Sequence, residues 1–309
     1  MITILQTKNE MLVPIEQITD GAWINVVNPD EKEIEQLLSL GIPKDFITYP
    51  LDLDERSRTE KDDGYTLILL RVPYFKSWEE DIPYVAIPLG IIFNDQYIVT
   101  VCRYKNDLIN DFQAGDRKNL STLKRNRFIL QIMLANATYF LAYLRNIQKK
   151  IDQIEDELQR SIRNKEVLDL LKYQKCLEYF STALRSNELM FERLQRNKFF
   201  TIFPDDSDLL EDVIIENQQA IEMTGISGNL LGQMMDAYAS IIQNNQNIIF
   251  KIMTAWTIIL SLPTIVSGFF GMNISLPFES HPNAFGIVTG ISLLIMVAVI
   301  LFFKKIDWL

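Results

Sequence analysis

A single histidine, two cysteines and a near absence of charge beyond position 250 mark what this 309-residue chain does without. His281 stands alone, and Cys102 and Cys176 are far apart with no CxxC spacing, so no His/Cys set for a structural zinc site is available. Two isolated thiols fit the reduced, cytosolic side of a cell. No Walker loop, nucleophile elbow, zinc-helix motif or Rossmann glycine pattern occurs, which leaves an enzyme as the least supported class. Met1-Ile2-Thr3-Ile4 lacks the basic start and apolar core of a signal peptide, so membrane insertion is expected to be directed from elsewhere in the chain. Beyond position 250 the charges are Lys251, Glu279, Lys304, Lys305 and Asp307. Of the 30 basic and 40 acidic residues, the part up to position 250 therefore holds 27 and 38, a net charge of −11. Such a domain has no electrostatic reason to seek nucleic acid or anionic lipid, and it concentrates cations at its surface.

What is present is an uncharged run from Ile252 to Phe270, nineteen residues that end in Gly271-Met272-Asn273. At about 1.5 Å per residue it matches a hydrocarbon core of ~30 Å. A second uncharged run, Ala284 to Phe303, follows a short polar loop and stops at Lys304-Lys305. Two spans so close together form a hairpin. Lysines flank its outer ends and none lies in 274–283, so the positive-inside bias puts both chain ends in the cytoplasm of a cell-membrane protein. The competing reading, two buried helices of a soluble protein, is disfavoured by their length and flanking lysines.

The expected fold is a mixed α+β cytoplasmic domain followed by long helices and two C-terminal membrane helices. Ala22–Val27, Tyr65–Val72, Ala86–Phe93 and Gln96–Cys102 are rich in Val, Ile, Thr and Tyr, as strands are, with a hairpin turn at Asn94-Asp95. Pro29 to Leu40 reads as a helix with acids in its first turn. Asp52, Asp54, Glu55, Glu60, Asp62 and Asp63 form an acidic cluster between that region and the next strand, most simply a solvated surface. Ile129 to Leu170 contains no Gly or Pro, and Leu144, Ile147, Ile151, Ile154 and Leu158 recur at helical spacing. A partner helix from about Leu171 to Arg196 is expected to run back after Asn164-Lys165-Glu166. Pro204-Asp205-Asp206-Ser207 supplies N-cap residues for a helix that continues into the first span, with Gly225, Gly228 and Gly232 as places for a bend. The division that follows is 1–120 for the α+β domain, 121–204 for a helical hairpin, 205–250 for a stalk and 251–273 for the first span. The rest is the outer loop 274–283, the second span 284–303 and a basic tail 304–309.

From Asn247, steps of three and four give Phe250, Thr254, Thr257, Ser261, Thr264 and Gly268, a face mostly small or hydroxylic. Hydroxyls in hydrocarbon need partners, which places this face against protein or water. Two readings stay open, close helix packing and a pore shared by several subunits around a symmetry axis. In the second, Phe250 or Met253 is an apolar constriction, Lys251 adds positive charge near the mouth, and Asn273 offers an amide oxygen at the far end. Neutral oxygens suit magnesium, which dehydrates reluctantly.

Gly271-Met272-Asn273 closing the first of two C-terminal spans resembles the signature of the CorA family of magnesium channels. Ala22-Trp23-Ile24-Asn25 is similar to that family's early strand motif, and Lys304-Lys305 with Trp308-Leu309 to its basic tail. The resemblance covers nearly the whole chain. It implies a funnel-shaped homopentamer passing Mg2+ down its gradient without an organic cofactor, its pore at the oligomer axis. It also implies a selectivity site at Gly271, Met272 and Asn273, and a pore lined by Asn247, Met253, Ser261 and Thr264. Family members are closed by cytoplasmic magnesium bound between subunits, and the resemblance assigns Asp212 and Asp236 to such sites. The partner position falls on Tyr49, which cannot replace a carboxylate; Asp52 and Asp54 are near enough to substitute. Glu279 is the lone acid of an outer loop that the family more commonly makes acidic. Relatives that handle zinc usually vary the methionine of the tripeptide, so Met272 favours magnesium over zinc, cobalt or nickel. A membrane-anchored sensor without transport is the reading from another class.

Overall fold

A computed structural model describes residues 1–8, 11–115, 120–160, 164–200, 204–272 and 282–308. In chain order the elements are β1 (Ile2–Lys8), β2 (Met11–Pro14), β3 (Trp23–Val27), α1 (Glu31–Ser39), α2 (Lys44–Thr48) and a 3-10 turn (Tyr49–Leu51). These are followed by β4 (Arg58–Asp62), β5 (Tyr65–Phe75), β6 (Tyr84–Phe93), β7 (Ile98–Cys102), α3 (Asp107–Ala114), α4 (Arg125–Arg160) and α5 (Asn164–Arg196). The last two are α6 (Pro204–Phe270) and α7 (Ala284–Lys305). The chain divides into two units, Met1–Gln233 and Met234–Leu309, with the division inside α6.

In the first unit the seven strands make one sheet in the order β2-β1-β3-β7-β6-β5-β4. All pairings are antiparallel except β3 with β7, where Trp23 stands opposite Ile98. Residue alternation sends the strands' apolar side chains to two cores. Leu67, Leu69, Val99 and Val101 join Leu37, Phe46 and Ile47 of α1 and α2. Ile68, Leu70, Val72 and Ile98 join Phe112, Phe128 and Phe191 of α3, α4 and α5. The sheet is therefore covered by helices on both faces. Trp23 packs on Phe128 at 5.1 Å between ring centroids and donates through Nε1 to Thr100 Oγ1 at 2.9 Å. The Thr100 hydroxyl in turn donates to Asn25 Oδ1, so the polar members of the early strand motif satisfy each other in the core.

α1 starts at the expected place because Asp30 and Glu33 form a reciprocal capping box. The expected strands at β3, β5, β6 and β7 are present, while β1, β2 and β4 are additional. β4 changes the reading of the acidic cluster: Glu60 and Asp62 lie in an edge strand paired with β5, and Asp63-Gly64 makes its two-residue hairpin turn with φ of 46° and 79°. Two left-handed residues there are the signature of a type I′ turn. The β6–β7 connection is a four-residue loop rather than a two-residue turn, with Asn94 Oδ1 accepting from the Gln96 and Tyr97 amides. α4 ends at Arg160 and α5 begins at Asn164, so Asn164-Lys165-Glu166 opens the second long helix instead of preceding it; residues 161–163 lie outside the described set. Leu144, Ile147, Ile151 and Leu158 are buried and Ile154 half-buried, as a packing stripe requires.

The start of α6 also differs from expectation. Asp205 and Asp206 sit in its first turn rather than at the cap, and both accept from Arg127 of α4, at 3.0 and 3.2 Å. No break appears at Gly225, Gly228 or Gly232, all of which lie inside the helix. In the second unit α6 and α7 pack through Ala255, Ile259 and Phe303, with Met296, Val299, Ile300 and Trp308 around them.

Candidate ion pathway

The contact with α7 orients the second half of α6. On an α-helix at 100° per residue, Phe250, Met253, Thr257, Ser261, Thr264 and Gly268 lie about 140–180° from the buried pair Ala255 and Ile259. Asn247 and Thr254 lie on the flank, about 100–120° away. The small and hydroxylic face is therefore turned away from α7. All of these residues are exposed in the single chain except Ser261, which is half-buried; Phe250 and Met253 are 64% and 60% exposed.

The hydroxyls have partners within their own helix. Thr257 Oγ1 donates to the Met253 carbonyl at 2.8 Å, Ser261 Oγ to that of Ile258 at 2.9 Å and Thr264 Oγ1 to that of Leu260 at 3.3 Å. This corrects the inference that they must find protein or water outside: back-bonding to the preceding turn meets the need locally. Their oxygens keep acceptor capacity, so the face can still accept hydrogen bonds from the shell of a hydrated cation.

α6 closes with a tightened turn. The Gly271 amide donates to the Ser267 and Gly268 carbonyls at 2.9 and 3.2 Å, and the Met272 amide to that of Phe269 at 3.2 Å. Those three carbonyls are occupied, and the oxygens beyond this turn begin at Phe270. Met272 is half exposed, whereas Asn273, Glu279 and His281 lie outside the described residues.

Lys251 is not on the polar face. One turn before Ala255, it lies only about 60° from the α7 contact. Lys304 and Lys305 follow Phe303, the residue of α7 buried against α6, and all three lysines are exposed.

The carboxylates expected to bind regulatory metal are all exposed, and among the described residues no three His, Cys, Asp or Glu side chains come together in a metal-holding group. Asp212 lies in the first half of α6 and Asp236 beyond the division in that helix. Asp52 Oδ1 accepts from the Asp54 amide at 3.1 Å. The loop carrying both is fastened by Arg71, which donates to the Leu53, Glu55 and Ala86 carbonyls. Burial lowers the pKa of Arg71, and the charge of nearby Asp54 opposes that shift. At Tyr49 the Arg58 guanidinium lies 4.5 Å from the ring centroid and is itself held by Glu55 and Glu60. The Tyr49 ring thus faces a resident guanidinium in a cation–π contact.

The described chain thus consists of an α+β unit covered by helices on both faces and a second unit in which two long apolar helices pack together and one of them presents a small and hydroxylic outer face. The family model described as CorA-like Mg2+ transporter protein matches residues 19–305, and the chain belongs to that family. Its relatives include the cobalt/magnesium transport protein CorA of Methanocaldococcus jannaschii, 26% identical over 298 residues, 93% of this chain and 91% of that protein. The protein of the same name from Thermotoga maritima is 20% identical over 314 residues, 98% and 88% of the two chains. Among solved structures, the complete CorA magnesium transporter from Methanocaldococcus jannaschii superposes with a TM-score of 0.85 at 23% identity, covering 100% of this chain and 99% of that one.

Proposed function

We propose that this chain is a passive magnesium channel, assembled as a homopentamer in the cell membrane with both termini cytoplasmic. The observation that carries the reading is the orientation of α6, whose small and hydroxylic face points away from α7 along a helix that ends at Phe270, just before Gly271-Met272-Asn273 in the sequence. One such helix encloses nothing; several copies around an axis enclose a polar path. Asn273 and the Gly271 carbonyl hold the hydrated ion at the entrance, with Glu279 supplying one acidic charge per subunit above them. Thr257, Ser261, Thr264 and Gly268 line the passage with Thr254 on its flank, Met253 and Phe250 form the apolar gate, and Asn247 stands at the cytoplasmic end. Neutral oxygens let magnesium keep its water, so release stays fast. High cytoplasmic magnesium closes the channel through sites between subunits, with Asp212, Asp236, Asp52 and Asp54 as their carboxylates.

Cobalt is the second cargo to test, because both relatives named above carry it in their names. Protein in liposomes loaded with a magnesium dye is expected to admit Mg2+, and Asn273→Ala to abolish entry. Entry of cobalt or zinc without magnesium would overturn the cargo assignment, and no entry of any of them would leave an anchored sensor.

A further inference from the structure

Lys251, Lys304 and Lys305 stand at one end of the α6–α7 pair, and among the described residues none of them has a carboxylate within ion-pair distance. They are the only cations of the second unit. Their directions differ. Lys251 is close to the α7 side of α6, Lys304 lies on the flank of α7, and Lys305 projects from the side of α7 farthest from α6, about 170–190° from the Phe303 contact line.

The tail that follows is folded rather than loose. Asp307 takes a left-handed φ of 55°, the Trp308 amide donates to the Phe303 carbonyl at 3.0 Å, and the two rings stack at 5.5 Å with 10° between their planes. This is a Schellman motif with its hydrophobic contact, and it lays the indole against the buried cluster of α6 and α7. Trp256, half exposed, lies one turn or so beyond Lys251. Indoles with lysines whose stems run along apolar surface are the composition of a membrane–water interface.

We propose that Lys251, Lys304 and Lys305, set around the fixed Trp308, form a belt that binds the phosphates of anionic phospholipids in preference to zwitterionic ones. The proposal rests on the reading that α6 and α7 cross a bilayer. The outward direction of Lys305 and the displacement of Lys251 from the polar stripe favour lipid over the ion path as the partner of these charges. The belt also gives the chain a local attraction to an anionic surface, which the net −11 of residues 1–250 would otherwise repel.

The test is native mass spectrometry of the purified full chain titrated with phosphatidylglycerol and with phosphatidylcholine of the same acyl chains. At about fivefold per lysine near an anionic surface, the wild type is expected to prefer phosphatidylglycerol at least tenfold. Substitution of all three by Gln should bring the two lipids within twofold, while substitution by Arg keeps the preference. If the Gln protein aggregates, Trp308→Ala, which frees the tail but keeps every charge, is expected to weaken the preference severalfold. Equal binding of both lipids by the wild type, or a preference that survives the Gln substitutions, overturns the belt. Displacement of phosphatidylglycerol by millimolar inorganic phosphate also overturns it, since the site would then belong to free phosphate. Magnesium entry is measured separately: lipid preference without entry sinks the channel reading alone, and entry without lipid preference sinks the belt alone.

Discussion

Replacing Gly271 by Ala separates the demands of the fold from those of the ion. A Cβ built at Gly271 meets the Ser267 and Gly268 carbonyl oxygens at 3.4 and 3.6 Å, ordinary contact distances, and the residue is not among the glycines with positive φ. Within its own chain the methyl group therefore fits, and the loss of glycine's freedom in the unfolded state stabilises the protein by about 0.4–1 kcal/mol. The ion should feel it differently. A methyl beside the entrance displaces a water contact worth about 1–1.5 kcal/mol, which lowers entry roughly five- to tenfold. The assay pairs magnesium uptake by liposomes with thermal melting of the same preparation. Gly268→Ala, whose Cβ would meet nothing within 4 Å, and Gly90→Ala, whose Cβ would lie 2.2 Å from Pro50 Cγ, calibrate the two ends of the stability scale. Gly271→Ala should melt like Gly268→Ala and well above Gly90→Ala, yet conduct poorly. Unchanged uptake would refute the place of Gly271 in the ion path, and melting as low as that of Gly90→Ala would refute the account of its local geometry.

Gly64→Ala forces a side chain into φ of 79° and should cost about 1–2 kcal/mol by denaturant titration, with magnesium uptake per folded protein unchanged. Arg127→Ala leaves Asp206, only 3% exposed, without its cation; a loss of about 2 kcal/mol is expected, less than for a fully buried pair because Arg127 and Asp205 reach solvent. Burial pushes the Cys102 and Cys176 thiols up to about 11, so both should resist thiol reagents at pH 8 until the protein is unfolded. Because the neutral thiol is favoured in the folded state, that contribution is complete below pH 9 and is lost as pH rises from 9 through 11; a denaturation midpoint that did not fall over this window would contradict the burial.

Four of the five interior strands, β3, β5, β6 and β7, were legible because they are runs of Val, Ile, Thr and Tyr, and α1 because Asp30 and Glu33 lie three apart before an apolar stripe. β4 was hidden by its own composition, since Arg58-Thr59-Glu60-Lys61-Asp62 is charged as an edge strand can afford to be and reads as a surface cluster. The reversal between α4 and α5 carries no Gly or Pro to announce it. At the candidate pathway the identity of the polar face could be read from spacing alone, but its direction could not, because that depends on Ala255 and Ile259 meeting α7. At Tyr49 the missing carboxylate was visible in the sequence, whereas Arg58 over the ring, nine residues on, required the fold.

The parallel pairing of β3 with β7 sets a schedule for biosynthesis. Trp23 waits on the ribosome-bound chain until Ile98 exists to receive it, so β2-β1-β3 and β4-β5-β6 cannot be joined into one sheet until β7 has emerged. From that point about 150 residues remain before the first apolar span is made, which at 5–20 residues per second is on the order of 10–30 s. The first unit's strands thus have time to close on one another before the apolar stretch that ends α6 leaves the ribosome, and the sheet can be complete before the second unit is made.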